Sequence, residues 1–365
     1  MNRQLPRLQA DIFIMTTRIA QTTAAPPQRT GHTTLVIGDA VHACAAAVIA
    51  VNLAQIDPTR PRIAYAFNVS DETRDILRRG WQLVEPDFDL SSTPALARKA
   101  HLLTVDLERA IYWDVDHLPL RSERTRRELD KLWRLHPGRD MMAPAESFHA
   151  GGWCFNSGLM VYRPKPSHFD AYMAVLDGRT PRRTACWDGA DQGVLNTLFA
   201  SNEQKWMIGE KKNLHNTFAV QTPQGGDACV GNLTLALERG AHLSLEELEA
   251  RADSYHFFGR APPWGADCGA CVLRGRSCNS VQTSRRRGWQ FADSCGFRAA
   301  QSAWYEAFLR LPSQTRGVCY ERVLDVATLE TAGRAKKQAG GRSGEAGWSK
   351  GAGCGLGLPA ERRRQ

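Results

Sequence analysis

Nothing in this sequence is apolar for long enough to cross a bilayer. That takes about 20 apolar residues in a row, and the longest candidate, Ala40 to Ala54, is interrupted by His42 and Asn52. The stretch reads as a buried helix, and no transmembrane segment is expected. Acidic residues are scarce at the start, where Asp11 is the one acid in the first 34 positions. That composition resembles an organelle transit peptide; a flexible extension over 1–32 is the plainer expectation. No secretory signal is visible, and the 10 cysteines lack the regular spacing of a disulfide framework. A reduced, cytoplasmic setting is therefore expected, with an organelle or Golgi lumen as the alternative. The sequons Asn68-Val69-Ser70 and Asn232-Leu233-Thr234 matter only to a secreted chain. Internal repeats are missing too.

The charge is not spread evenly. The net charge is +9, from 47 Lys and Arg against 38 Asp and Glu, and residues Arg334 to Gln365 alone carry eight basic and two acidic side chains. The body is nearly balanced, and the Gly, Ala, Ser and Arg composition of 333–365 predicts a disordered basic tail. Trp348 is the one aromatic residue in the tail and Arg285-Arg286-Arg287 contains none, so neither builds an aromatic platform. Both read as solvated charge, and no specific nucleic-acid partner is expected. An adaptor acting on nucleic acid through its tail is the reading this leaves aside.

What is present is alternation. Short β-branched and aromatic runs (Thr33–Ile37, Arg62–Phe67, Ala110–Trp113, Leu159–Tyr162) alternate with helical patterns (from Ala40, Asp71–Arg79, Ser167–Leu176). That order predicts a mostly parallel sheet covered by helices. Ser244 and Glu247 form a capping box for a helix to about Ala252, followed by a buried strand Ser254–Phe258 and a later helix Ala299–Leu311.

Four segments carry chemistry. The third apolar run ends in Asp114-Val115-Asp116, so two carboxylates sit at the carboxyl end of a strand, where open α/β sheets bind ligands. Such an oxygen pair suits Mg²⁺ or Mn²⁺ bridging to phosphate. Trp153 to Tyr162 sets Asn156 just before a strand, where its amide can donate to and accept from a sugar hydroxyl. Asp188-Gly189-Ala190-Asp191-Gln192 puts two carboxylates and an amide at a helix start. Tyr255 to Trp264 adds the imidazole of His256, then Gly259 and Arg260.

In order and spacing these segments resemble glycosyltransferase family 8, especially its glycogenin-like branch, over about Thr33 to Trp264. The resemblance implies a single Rossmann-like α/β domain of the GT-A type with a mostly parallel sheet, spanning 33–264. It implies a retaining enzyme that moves a hexosyl group, glucosyl or glucuronosyl, from a UDP-sugar to a glycan or other hydroxyl acceptor. Mn²⁺ is the implied cofactor, with Mg²⁺ as the alternative. By the same resemblance Asp114, Asp116 and His256 are the metal ligands, and Asp191 and Gln192 are the catalytic candidates, one or the other lying under the anomeric carbon. Leu35, Arg98, Asn156, Asp188, Gly259 and Arg260 face the donor. Plant glycogenin-like proteins are similar to the Cys-rich and Arg-rich extension at 265–332 as well.

Three departures qualify that resemblance. Pro262 replaces a Lys that would neutralise diphosphate, with Arg260 as the cation left nearby. Ile37-Gly38-Asp39 and Val41 replace a Thr-Asn-Asp sequence and a Tyr that serve uracil and ribose. Tyr255 is the sole Tyr between Asn216 and His256, which argues against self-glucosylation and for a separate acceptor. Pro262 and Val41 motivate a second expectation, a catalytically silent scaffold that binds a nucleotide sugar or glycan. Cys268, Cys271, Cys278 and Cys295 leave structural zinc, a disulfide pair and plain loop cysteines all open.

Overall fold

The structure is a computed structural model that describes residues 29–38, 40–86, 95–134, 140–143, 155–182, 190–199, 206–208, 245–251, 253–257, 264, 273, 282–284, 289–291 and 297–325. Its centre is a seven-stranded sheet in the order β3-β2-β1-β4-β7-β6-β8. The strands are β1 (Thr30–Ile37), β2 (Arg62–Phe67), β3 (Gln82–Val84), β4 (Arg109–Trp113), β6 (Met141–Ala143), β7 (Leu159–Tyr162) and β8 (Trp206–Ile208). β7 is antiparallel to both its neighbours and every other pairing is parallel, so the α/β, mostly parallel expectation holds. β5 (His117–Pro119) lies outside this sheet and pairs antiparallel with β9 (Ser254–His256). The late strand is thus part of a two-stranded ribbon rather than of the main sheet, and it ends at His256 rather than Phe258.

The central strands form because they can be buried on both faces. All five residues of β4 are buried, as are five of six in β2, which is why they read as continuous apolar runs rather than alternating ones. Sheet pairing begins at Thr30, opposite Arg109, so β1 starts three residues before the first apolar run does. His32 lies in that extension with a buried partner, Asp57, and Thr34 within the run donates to the Trp113 carbonyl.

Helices cover both sides. On one face lie α1 (Ala40–Ile56), α2 (Asp71–Arg78) and α3 (Glu123–Arg134), joined by α6 (Leu245–Arg251) and α7 (Phe297–Leu309). α1 is buried nearly all round, as an apolar helix without a polar face must be. α2 starts where Ser70 Oγ accepts from Thr73 N. The other face is covered by a 3₁₀ helix (Ala95–Thr104), α4 (Pro166–Leu176) and α5 (Asp191–Phe199). The order β3-β2-β1-β4 places consecutive crossovers on opposite sides of β1, making a topological switch between β1 and β4. Ligands of such sheets bind at the carboxyl ends beside that switch.

Residues 313–325 are helical and return to α1 through a disulfide between Cys44 and Cys319, both fully buried. Scattered spacing had pointed to reduced cysteines; the fold brings together two that are 275 residues apart, a pairing invisible to spacing. The zinc or disulfide alternatives for Cys268, Cys271, Cys278 and Cys295 fall outside the described residues. Among the described residues no helix is long and apolar enough to cross a membrane.

A crosslink over so long a loop acts mainly by restricting the unfolded chain. Reduction, or Cys319→Ser, is expected to lower unfolding free energy by roughly 2–5 kcal/mol, read from denaturant unfolding with and without reductant.

Candidate active site

Position begins with the anchoring of β4. Trp113 is fully buried and its indole N–H donates to His32 Nδ1 at 3.1 Å. His32 therefore carries its proton on Nε2, which donates to Asp57 Oδ2 at 3.0 Å. Asp57 also accepts from Trp133 Nε1 (3.0 Å) and from Arg60 (2.7 Å), so its buried charge is matched. Burial lowers the His32 pKa despite the pull of Asp57, and the ring stays neutral.

After Trp113 the chain leaves the sheet in a turn. His117 N donates to Asp114 O at 2.9 Å and Asp114 N donates to Gly158 O at 2.8 Å. The Asp114 carboxylate accepts from Tyr112 Oη (3.0 Å) and Val115 N (3.3 Å). Two residues on, Phe257 N donates to Asp116 O at 2.8 Å, and His117 lies opposite His256 in the β5–β9 register. These contacts bring His256 Nε2 to 3.3 Å from Asp116 Oδ1. That oxygen is buried and without a hydrogen bond.

The third carboxylate, Asp191, opens α5, where first-turn amides favour an anion. Lys99 bridges it to the turn: its ammonium is 2.6 Å from Asp191 Oδ2 and 3.6 Å from Asp114 Oδ2, donates to Ser157 Oγ at 3.1 Å, and lies 4.7 Å over the Tyr112 ring. Burial alone would lower the Lys99 pKa, but Asp191, Asp114 and Asp116 outweigh it and hold the pKa above its ordinary value. Burial likewise raises Asp191 and Lys99 more than reverses that, so Asp191 stays ionised. Asp114 is raised by burial and by the like charges of Asp116 and Asp191, against Lys99. Asp116 is lowered: burial pushes it up, and His256, together with Lys99, pulls it further down. Burial drives His117 well below the usual histidine value, so its ring is neutral.

The segment before β7 is clamped by α5. Asn196 Oδ1 accepts from Phe155 N, and its Nδ2 donates to Phe155 O, both at 2.8 Å; Gln192 Oε1 accepts from Ser157 N at 3.0 Å. Asn156 Oδ1 accepts from Gly158 N at 2.8 Å. The amide oxygens of Asn156 and Gln192 thus each hold a backbone N–H of this loop.

Asp114, Asp116, His256, Asp191, Gln192 and Asn156 are brought to one end of the sheet, as the sequence led one to expect. Beside Arg98, it is Lys99 that reaches the carboxylates Asp114 and Asp191. The segment is a 3₁₀ helix, in which neighbouring side chains diverge by about 120°. A shift of one residue therefore decides which cation enters the site, and Arg98 Nε is buried without a partner among the described residues. Leu35 is half-buried and packs on the core under the 3₁₀ helix. Val41 is buried in the opposite core, so it offers no stacking surface to a base. Asp188, Gly259, Arg260 and Pro262 lie outside the described residues. Sequence reasoning missed Lys99, Tyr112, Ser157 and His117; all four adjoin motif residues, and adjacency was the available signal.

Among the described residues no group of three His, Cys, Asp or Glu side chains is placed to hold a metal ion. The donor chemistry nevertheless fits a hard divalent cation. An imidazole nitrogen and a carboxylate oxygen, His256 Nε2 and Asp116 Oδ1, face each other at 3.3 Å. Asp191 and Asp114 lie around the Lys99 ammonium and Asp116 adds its field to them, so three carboxyl groups stand near one fixed cation.

Comparison with known proteins agrees with the resemblance read from the four segments. The chain is similar to the glycogenin of Komagataella phaffii, 27% identical over 195 residues that make up 47% of this chain and 44% of that protein. It is 29% identical to the glycogenin of Cryptococcus neoformans var. grubii over 52% of this chain and 19% of that one, and 29% identical to human glycogenin-1 over 31% and 27%. The similarity spans less than half the length of each of these relatives. No family model matches. Among solved structures, galactosyltransferase LgtC in complex with donor and acceptor sugar analogs superposes with a TM-score of 0.45 at 14% identity, over 78% of this chain and 99% of that one. The glycosyltransferase GlyE of Streptococcus pneumoniae TIGR4 gives 0.46 at 14% identity, over 81% and 64%. Likeness at that level adds nothing to what the strand order shows by itself.

Lys99→Met should destabilise the fold by roughly 1–3 kcal/mol at neutral pH, because a largely buried Asp191 loses its partner. The Asp191 pKa is lowered in the folded state, so its contribution is present above the unfolded carboxylate range and is lost as pH falls through the folded value. The difference between wild type and variant should therefore shrink below about pH 4, measured by urea unfolding across pH.

Proposed function

We propose that this chain is a retaining hexosyltransferase that moves a glucosyl or glucuronosyl group from a UDP-sugar to a separate hydroxyl acceptor, using Mn²⁺ or Mg²⁺ held by Asp114, Asp116 and His256. The observation that carries this is the convergence of three carboxyl groups and the His256 imidazole at the end of β4, beside the topological switch and near one buried ammonium. Oxygen and imidazole donors of that kind suit a divalent cation that would bridge to the phosphates of a nucleotide sugar. The glycogenin relatives support the reaction class.

When bound, the cation neutralises the diphosphate leaving group and supplies the main electrostatic assistance to cleavage of the bond between sugar and phosphate. The side chains do the rest. Lys99 keeps Asp191 ionised and fixed under the donor sugar, and Tyr112 orients Asp114. Gln192 and Asn196 hold the 155–158 loop that walls the sugar site. Tyr255 is 1% exposed, which supports an acceptor other than this chain's own tyrosine. The buried Cys44–Cys319 bond supports the luminal alternative over the cytoplasmic expectation.

The test is release of UDP from a panel of UDP-sugars with and without Mn²⁺. Metal-dependent release from one donor is expected, and Asp116→Asn, which removes a charge at constant volume, should abolish it. Full Mn²⁺-stimulated turnover in that variant would place the cation elsewhere. Mn²⁺-dependent UDP binding without release from any donor would instead identify a silent scaffold.

A further inference from the structure

His117 is fully buried, and its ring stacks on that of His256 with centroids 4.9 Å apart and planes within 13°. The two residues sit directly opposite each other in the β5–β9 register. Ser254 is two residues before His256 on the same strand and so on the same face; its hydroxyl meets His117 Nε2 at 2.9 Å. The Trp113 ring closes on His117 edge-on, 5.8 Å away at 74°. On the far edge of His256 stands Gly158, where an added Cβ would lie 3.1 Å from Cε1 and 3.2 Å from Nε2. The His256 imidazole therefore occupies a slot with a flat, pinned wall on one side and a glycine gap on the other.

We propose that His117 is the positioning residue that sets the plane of the His256 imidazole and so aims its Nε2 at the cation beside Asp116. The inference rests on the cation reading above. An aliphatic side chain could fill the volume under His256 but would present no flat face, leaving the ring free to turn about its terminal torsion, which is intrinsically broad. Groups that orient a ligand without touching the metal typically change its affinity by about 10–100-fold.

The experiment measures Mn²⁺ binding to the full chain by electron paramagnetic resonance, with pulsed detection of nitrogen coupling from a coordinated imidazole. Wild type is expected to bind Mn²⁺ with that coupling. His117→Leu and His117→Asn, which lack a flat ring, should bind about tenfold more weakly with diminished nitrogen coupling and unchanged circular dichroism. His117→Phe, which keeps the flat face, should retain most of both. Wild-type affinity and coupling in either folded ringless variant would overturn the inference, as would a Phe variant that loses as much as they do. Should the Leu variant fail to fold, the Asn variant, still able to pair with Ser254, carries the comparison. A wild type that binds no Mn²⁺, or binds it without nitrogen coupling, sinks the His256 ligand reading itself and this inference with it.

Discussion

Three carboxylates gathered around one buried ammonium are the constraint to which the rest of the molecule answers. Asp114, Asp116 and Asp191 come from the end of β4 and the start of α5, and Lys99 comes from the 3₁₀ helix between β3 and β4. Like charges brought this close are unfavourable unless a counter-charge is held among them. Lys99 supplies one positive charge, and its ion pair with Asp191 makes the catalytic end of the sheet stable enough to exist before any ligand arrives.

Such a site needs a rigid back wall, because small displacements of a ligand cost affinity and rate. The wall is polar as well as apolar. Trp113, next to Asp114, is tied through His32 to Asp57, which in turn gathers Trp133 and Arg60. Each donor in that chain has an acceptor, so the buried network specifies one arrangement instead of penalising all of them. The ribbon of β5 and β9 extends the same wall to His256, and Asn52 of α1 ties it down by donating to the Pro119 carbonyl. Phe257 and Trp264 continue from the ribbon into Trp304 and Phe308 of α7, so the carboxyl-terminal helix supports the histidine through aromatic packing.

Much of this was legible from residues alone. The runs that became β2, β4 and β7 could be read because strands buried on both faces leave continuous apolar signatures, and Asp114 and Asp116 could be placed because they follow such a run immediately. Asp191 could be placed at a helix start from its context. The short strands could not. β5 has three residues and is identified only by its partner, more than 130 positions away. Lys99 and Arg98 are indistinguishable in a list of basic residues, and only the handedness and pitch of the 3₁₀ helix choose between them.

By itself the sequence determined the class of fold and the strand end at which the carboxylates stand, since both follow from local periodicity and adjacency. Tertiary structure alone decided which cation enters the site, how Asn156 and Gln192 spend their amide oxygens, that His117 lies flat against His256, and that Cys44 meets Cys319. Each of those depends on two segments far apart in the chain meeting at an ångström-level distance, and periodicity carries no information about such meetings.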